Sequence, residues 1–531
     1  MFRRIRATYR KFILNVQLPL TLVTGLLLGT AAHAQSTDVP QRKQLNNKVR
    51  LNFIPVSMPQ ATYPSLDKTM GLMGLHYFIP FNDWLYGGAG MYAAITGDQG
   101  GLFTLGATLG INKKLYKSLY LDANFHFGGG GGYRYLVNDG GYINPNIGLQ
   151  LQQKHYAVGV QYSHFDFYSG AIKSNAVSVF VEIPSLLRFT DYRHSQQKFE
   201  LKQLEKDQLW QQPVVKNAQQ LRFDFFKPIG SSQKDNGTPL RETLYVLGFE
   251  YQKYLDEKSF LFVHTDAIYK GLRAGFMDLF FGMGYHPIQS TYVDVFTKFA
   301  VGAAGGRVAP EGGLMLYPSA GIDLKLSQRF RLSTHGGYYR AIGGTLEAYT
   351  FGFGIKYTNF SGGTQKSNQT DRSNYRIQGI SLSLENQTYL GVAKTDDSKG
   401  LKEVDLQLLA FQVNYDLTKN LYLIGEAGFA YDGRSGGYAH GLVGMGVKSP
   451  SFLSNHLEFF IDATGGAAGG AGVDTDEGIV ARLVAGINVN VNNTISITSS
   501  VGQFIAPFGN VNATNINIGC NFNFGSLTST N

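Results

Sequence analysis

Cysteine and charge are scarce in this chain of 531 residues, and the longest apolar run is confined to its first segment. The one cysteine, Cys520, excludes an intrachain disulfide framework. Charged residues make up only 16% of the chain. Beyond the first segment, no stretch approaches the ~18 consecutive apolar residues that a membrane-spanning helix requires. If this chain lies in a membrane, it must therefore cross the membrane as strands.

Residues 1–34 have the pattern of a cleavable export signal. A basic start precedes an apolar stretch from Leu18 to Leu28, and Ala32-His33-Ala34 then offers a small-residue cleavage site. Removing this segment takes away five of the 47 basic residues and none of the 38 acidic ones, which leaves a net charge of +4. So small an excess does not indicate a nucleic-acid partner.

Repetition is what the sequence has in abundance. An aspartate in an alternating strand, a glycine-rich run, a loop acid and a second alternating strand recur three times in that order, with the aspartates 172 and 168 residues apart. This regularity predicts a threefold internal repeat. The successive aspartates, glycine-rich runs and loop acids are Asp122, 128–132 and Asp139; Asp294, 302–306 and Glu311; and Asp462, 465–470 and Glu477.

Within each repeat the side chains alternate between apolar and polar. Leu119, Leu121 and Ala123 lie on one side of a strand, whereas Tyr120 and Asp122 lie on the other. Such alternation predicts β-strands with one apolar face. Eight strands can be traced in each repeat, which gives about 24 in the whole chain. Tight turns alternate with longer polar connections, of which the first in each repeat is the most polar. These three connections are 57–69, 230–242 and 391–403.

Strand length and aromatic placement favour a membrane barrel over a soluble β-protein. Most of the strands have the length, about ten residues, that a tilted strand needs to cross a bilayer. Aromatic residues cluster near strand ends, as Phe81 and Trp84 do around one tight turn. A protein so apolar on one face of its strands needs an apolar cover, which hydrocarbon supplies.

The region 49–524 resembles the outer-membrane β-barrel proteins of Gram-negative bacteria. Its last strand, from Ile516 to Phe524, alternates and ends in an aromatic residue, like the insertion signal of that superfamily. The chain departs from the pattern by continuing through Gly525–Asn531. The resemblance implies an all-β, transmembrane, antiparallel up-and-down barrel, exported to the outer membrane. Outer-membrane lipids and the outer-membrane assembly machinery are the implied partners.

Two closures are compatible with about 24 strands. Each repeat can close as an eight-stranded barrel whose interior is filled by side chains, or all strands can join in one wide barrel. The segments between repeats favour three tandem small barrels, because adjacent strands of one barrel are normally joined by a tight turn. The predicted divisions are a signal peptide (1–34), an N-terminal segment (35–48), repeat 1 (49–183), a linker with a candidate helix (184–219), repeat 2 (220–357), a flexible linker (358–375), repeat 3 (376–524) and a C-terminal tail (525–531).

The candidate site residues are all acidic. Asp122, Asp294 and Asp462 occupy polar, inward-facing positions of their strands. They indicate either a charged lumen or structural carboxylates, and the structural alternative is favoured because buried polar groups usually satisfy one another. The loop acids are favoured as a solvated acidic surface. They are Asp139, Glu311 and Glu477.

The sequence predicts a non-enzymatic integral outer-membrane protein with a structural or interaction role. No catalytic residue, cofactor or metal site is predicted. One alternative is a channel or export pore formed by a single 24-stranded barrel, and another is a secreted soluble β-protein. The segment 184–219, which contains Trp210, is favoured as a simple linker, and the alternative is that it docks into a barrel mouth or onto a periplasmic partner.

Overall fold

Antiparallel strands are the main secondary structure of the computed structural model, which describes residues 39–205, 209–272, 274–308, 312–364, 374–396, 400–453 and 456–529. The all-β antiparallel barrel fold expected from the alternation is confirmed. From Gln41 onward the chain forms one compact unit, and the predicted signal peptide lies outside the described residues. No helix among the described residues is long and apolar enough to cross a membrane.

The first eight strands form a closed barrel, which we call group 1. They are β1 (Lys43–Ser57), β2 (Thr69–Pro80), β3 (Leu85–Thr96), β4 (Phe103–Tyr116), β5 (Leu119–Gly131), β6 (Gly141–Gln152), β7 (Ala157–Phe167) and β8 (Lys173–Phe189). Each strand pairs with the next one along the chain, and β1 closes the ring by pairing with β8. One barrel of 24 strands would need the first strand beside the last, so that alternative is wrong.

The other strands belong to a sheet of seventeen. Group 2 comprises β10 (Val215–Pro228), β11 (Leu244–Tyr254), β12 (Ser259–Lys270), β13 (Met277–Gln289), β14 (Val293–Gly305), β15 (Leu314–Lys325), β16 (Phe330–Ala341) and β17 (Glu347–Ser361). Group 3 comprises β18 (Asn374–Asp396), β19 (Gly400–Asp416), β20 (Leu421–Asp432), β21 (Ala439–Lys448), β22 (Leu457–Gly469), β23 (Ile479–Asn490), β24 (Ile495–Ile505) and β25 (Asn512–Ser529). A short strand, β9 (Lys198–Glu200), pairs with β18.

Within this sheet, the first and last strands of each group are themselves paired. β10 pairs with β17 over fourteen consecutive positions, and β18 pairs with β25 over sixteen. Between β17 and β25, in contrast, the described residues show one bridge, which joins Ser361 to Thr528. The backbone hydrogen bonds of the edge strands are therefore made mainly inside each group.

The strands bury polar side chains and expose apolar ones. On β8, Val177, Val179 and Val181 are 60%, 50% and 42% exposed, whereas Ser178 and Glu182 are 1% and 2% exposed. Because successive side chains of a strand point to opposite faces, this pattern means that the outer wall is apolar and the interior is polar. In a water-soluble barrel the outer wall is mainly polar instead.

Each group also has an apolar cluster inside one end of its strands, opposite the tight turns. We call this end the loop side. In group 1 the cluster includes Ile54 from β1 and Leu66 from the first long connection. Leu240 has the same role in group 2, and Val473 joins the cluster of group 3. Side chains of the connections therefore cover the interior of each group at the loop side.

The described residues of the linker predicted at 184–219 contain little helix. A 3-10 helix (Tyr192–His194), β9 and a helix α2 (Leu201–Glu205) lie between β8 and β10, and the one other α-helix of the described chain, α1 (Arg134–Val137), lies in a group 1 loop. The candidate helix is interrupted because residues Lys198–Glu200 pair with β18, which satisfies their backbone groups as a strand.

Strand β25 continues beyond the predicted C-terminal boundary. The tail was predicted at 525–531, but pairing with β18 continues to Ser529, so most of that segment is strand. At the other end of β18, the flexible linker predicted at 358–375 lies partly outside the described residues, since β17 ends at Ser361 and β18 begins at Asn374.

Candidate functional site

A buried arginine between two carboxylates lies inside group 1. Arg50 donates from Nη1 and Nη2 to the two oxygens of Asp122, each at 3.0 Å, and from Nη2 to Glu182 Oε2 at 2.8 Å. All three side chains are at most 2% exposed. The contact forms because Arg50 lies directly across from Glu182 in the β1–β8 ladder and all three residues occupy inward-facing positions.

Asp122 is fully bonded in this position. Its carboxylate also accepts hydrogen bonds from Tyr86 Oη at 3.0 Å, Gln161 Nε2 at 2.7 Å and Asn112 Nδ2 at 3.1 Å. A carboxylate with so many donors is held in one geometry, and no oxygen remains to act on a substrate. This environment favours a structural role for Asp122.

Group 2 has a larger charged network around Arg222. Its guanidinium donates to Glu250 Oε2 at 3.0 Å and to His264 Nδ1 at 2.8 Å, and it also contacts Asp224. The predicted site residue Asp294 is 3% exposed but lies elsewhere in the interior, with Lys325 Nζ 2.8 Å from its Oδ1.

Group 3 repeats the arginine–carboxylate arrangement with different residues. Arg482 donates from Nη1 and Nη2 to the two oxygens of Glu426 at 2.8 and 2.6 Å, and His440 Nε2 lies 2.8 Å from Glu426 Oε1. Asp462 is 3% exposed and accepts a hydrogen bond from Tyr422 instead. The three motif aspartates are therefore all buried, but only Asp122 contacts its group's central arginine.

Sequence reasoning missed the central arginines. Each of them is flanked by apolar residues within an alternating strand, as in Val49-Arg50-Leu51. Arg222 and Arg482 have the same surroundings. An arginine on the polar face of a strand whose other face contacts lipid must lie inside the barrel, where it needs carboxylate partners. That signal was present in the alternation, but the partners come from strands far apart in sequence.

Two of the three loop acids contact a different group from their own. Asp139 of group 1 accepts a hydrogen bond from the backbone N–H of Arg434 in group 3, at 2.7 Å. Glu477 of group 3 accepts one from Gly271 of group 2, at 3.5 Å. Glu311 lies outside the described residues. The two described acids therefore bridge groups rather than form a free acidic surface.

The glycine-rich runs are where the groups touch. A Cβ atom on Gly131 would lie 1.8 Å from the backbone nitrogen of Gly437, and one on Gly305 would lie 2.3 Å from that of Gly101. Gly469 packs in the same way, with Ala274 Cβ 2.4 Å from the place of its missing Cβ. Only glycine permits backbones to approach so closely.

These contacts follow one rule around the molecule. The loop between the third and fourth strands of one group packs on the glycine-rich run of another, in the order group 1 on group 2, group 2 on group 3, and group 3 on group 1. An apolar cluster on the outer walls accompanies them, with Phe103 from group 1, Leu279 from group 2 and Phe429 from group 3. The three groups therefore form a closed ring of similar contacts.

The linker after group 1 packs against the tight-turn side of group 3. Trp210 is 1% exposed in a cluster with Tyr375 and Leu527, and Tyr192 Oη donates to Asp416 Oδ2 at 2.8 Å. Burial raises the pKa of Tyr192 well above its ordinary value, and the neighbouring carboxylate raises it further. Because Trp210 is buried within the chain, its side chain is not exposed for docking to another protein.

Comparison with known proteins gives a structural likeness alone. No protein-family profile matches the chain, and no curated protein matches it. Among solved structures, the chain is similar to the siderophore receptor PirA from Pseudomonas aeruginosa, with 9% identity, 92% of this chain and 81% of that chain covered, and a TM-score of 0.25. The chain is also similar to the FrpB iron transporter from Neisseria meningitidis, with 8% identity, 90% of this chain and 81% of that chain covered, and a TM-score of 0.25.

At such TM-scores the likeness carries no argument about this chain. The argument comes instead from the chain's own strand pairing and from the distribution of its side chains. They give an antiparallel β-barrel architecture with an apolar outer wall, which is the architecture of the outer-membrane superfamily that the sequence resembles.

Proposed function

We propose that this chain is an integral outer-membrane protein of three closed eight-stranded barrels, with a structural or interaction role and no enzymatic activity. The observation that carries the proposal is the apolar outer wall around a charged interior. On β17, Tyr349, Phe351 and Ile355 are 62%, 57% and 54% exposed, while Lys356 is wholly buried. Hydrocarbon is the surroundings in which such a wall is stable.

Strand pairing supports three barrels. The long β10–β17 and β18–β25 ladders support closure of groups 2 and 3, since each ladder joins the first strand of a group to its eighth. Eight strands leave an interior that side chains just fill. The predicted repeats 49–183, 220–357 and 376–524 correspond to these groups in our proposal.

The filled interiors argue against conduction. In group 1 the network of Arg50 lies beneath the apolar cluster that contains Ile54 and Leu66. Between Arg50, His76 and Tyr92 there is a hollow of about 10 Å³, which has room for about one water molecule. A hollow of this size is too small to pass hydrated ions, and in group 1 this favours a platform over a pore.

The export and assembly steps belong to the same proposal. Residues 1–34 direct export, outer-membrane lipids surround the apolar walls, and the outer-membrane assembly machinery inserts the strands. The tight turns and the 184–219 linker then face the periplasm, and the long connections face outward.

Conductance of the full mature chain in planar lipid bilayers tests this function. Three filled barrels should give no channels above background, whereas a pore of comparable strand number, measured in the same lipid, should conduct steadily. Steady conductance from this chain would overturn the platform. Solubility as a monodisperse protein in buffer without detergent would overturn the membrane location.

A further inference from the structure

Two aspartates and a histidine meet in the interior of group 2 and take no part in the proposed function. His264 and Asp266 lie on β12 and Asp278 lies on β13, and all three are at most 2% exposed. One side-chain N or O atom from each lies within 4.8 Å of the others. The backbone ladder between β12 and β13 is interrupted here, and the N–H of Asp266 donates to Asp278 Oδ1 at 2.8 Å instead.

Several side-chain atoms of this cluster lack hydrogen-bond partners. Among the residues that the structure describes, nothing bonds to His264 Nε2 or to either carboxylate oxygen of Asp266. Arg222 Nη2 lies 3.7 Å and His264 Nε2 lies 3.9 Å from Asp266 Oδ2, both beyond hydrogen-bond distance. A buried carboxylate without hydrogen bonds is costly, so these atoms point to a ligand that the cluster is built to hold.

The charge around the cluster gives the sign of that ligand. Of the buried cations of group 2, Arg222 and Lys298 contact the carboxylates around the cluster, namely Glu250, Asp224 and, at longer distance, Asp266. Lys356 pairs with Asp323 instead, and Asp278 adds a fourth carboxylate to the cluster. With neutral histidines and all four carboxyls ionised, two positive charges face four negative ones, and an ion of charge +2 balances the site.

We propose that group 2 binds one divalent transition-metal ion through His264 Nε2 and the carboxylates of Asp266 and Asp278. Imidazole nitrogen and carboxylate oxygen are ligands that Zn²⁺ and its neighbours accept. Bonds of about 2.0–2.2 Å require the three side chains to close by roughly 1 Å. Tyr339 Oη donates to Asp278 Oδ2 at 3.0 Å and fixes the orientation of that carboxylate.

Binding requires one exchange of hydrogen bonds. Arg222 Nη1 donates to His264 Nδ1, which places the imidazole proton on Nε2. For Nε2 to coordinate a metal, Nδ1 must carry the proton, and Glu250 Oε2, 3.7 Å away, is the acceptor that can take it. Arg222 keeps Asp224 and Glu250 as partners after this exchange.

The site predicts one metal ion per chain, not three. In group 1 the charges of the central network balance, since the buried Arg50 and the partly exposed Lys48 contact Asp122 and Glu182. Among the described residues, no other cluster of histidine, cysteine and acidic side chains has metal-binding spacing. Stoichiometry therefore separates this site from adventitious binding at the surface.

Refolding of the full mature chain in detergent with Zn²⁺ tests the proposal, because the loop-side cluster limits entry to the folded interior. After dialysis against a chelator, elemental analysis should find about one Zn²⁺ per chain. Asp266→Asn and Asp278→Asn should each lower this content by about tenfold or more. The matched control is His126→Gln, a buried histidine of group 1 that bonds Thr108 and Tyr142, and it should keep one Zn²⁺.

Two results would overturn the site. One is a wild-type chain that refolds, by its heat-modifiable migration on gels, yet retains less than a tenth of an ion. The other is unchanged Zn²⁺ content in both aspartate variants. If a variant does not refold, Co²⁺ in the wild-type chain decides by its visible spectrum, since a tetrahedral nitrogen–oxygen site gives much more intense ligand-field bands than the octahedral hydrated ion. A spectrum with only the weak bands of the hydrated ion would overturn the site.

Discussion

At the scale of single residues, the interior of this protein is governed by charge pairing between buried side chains. Arg50, Arg222 and Arg482 are each at most 3% exposed, and each donates to at least one carboxylate. A buried ion pair contributes little by itself, because desolvation offsets its attraction. Removal of one partner is strongly destabilising, because the other partner remains buried with an uncompensated charge.

Replacement of Arg50 by methionine should therefore destabilise the chain strongly. Arg50→Met leaves Asp122 and Glu182 buried without their main cation, and we expect a loss of about 3–5 kcal/mol in the free energy of unfolding. Urea titration in detergent, followed by heat-modifiable migration on gels, measures it.

The matched control is Lys48→Met, which removes a partly exposed cation from Glu182 and should cost about 1 kcal/mol or less. The triple variant with Arg50→Met, Asp122→Asn and Glu182→Gln should recover much of the loss. Equal effects of Arg50→Met and Lys48→Met would contradict the buried network.

At the scale of strands, the alternation of the sequence carries over directly into the structure. Leu119, Leu121 and Ala123 were predicted on one face and Asp122 on the other, and Asp122 does lie inside. The arginine contacts were not predictable, because Arg50 and its partners are joined only after strand register is set. The inter-group role of Gly131 was also hidden, since a glycine in a strand is compatible with bending as well as with close contact.

A charged residue on the outer wall should distinguish a membrane barrel from a soluble one. Val181→Arg places a guanidinium near the middle of β8, and in a bilayer it should cost about 2–4 kcal/mol in the free energy of unfolding. In a water-soluble protein the same exposed substitution should change stability by about 0.5 kcal/mol or less. Unfolding from lipid vesicles by urea measures the difference.

The control for this experiment is Tyr156→Arg. Tyr156 is 48% exposed in a tight turn, where charge at the membrane surface should cost about 0–1 kcal/mol. Equal and small effects at both positions would argue against a hydrocarbon environment for β8.

A methyl group at the contact between groups 3 and 1 should weaken it. Gly131→Ala sets a Cβ against the backbone of Gly437, which has no flexible atoms to move aside, and overpacking of this kind costs about 1–3 kcal/mol. Gly441→Ala is the matched control, because nothing lies within 4 Å of its Cβ position. Urea unfolding of both variants should differ by that amount, and equal stabilities would show that the contact does not form.

At the scale of the whole molecule, the ladders within the groups are much longer than the pairing between them. The sequence places the second repeat at 220–357, but group 2 begins with β10 at Val215 and ends with β17 at Ser361. Boundaries are the least predictable part of a strand, because the last residues pair only when their partners reach equally far.

Residues 215–361 expressed alone should fold in detergent with heat-modifiable migration. Failure to fold, while the full chain folds, would contradict closure of group 2.

The ring of contacts also has a direction. Each group presents its third loop to one neighbour and its glycine-rich run to the other, so a cyclic shift that starts the polypeptide at group 2 preserves every contact. Exchange of two groups reverses the order and leaves all three loops facing the wrong surface. The ring is thus compatible with circular permutation of the three groups but not with a change in their cyclic order. The handedness of the ring fixes that order along the polypeptide, whichever group comes first.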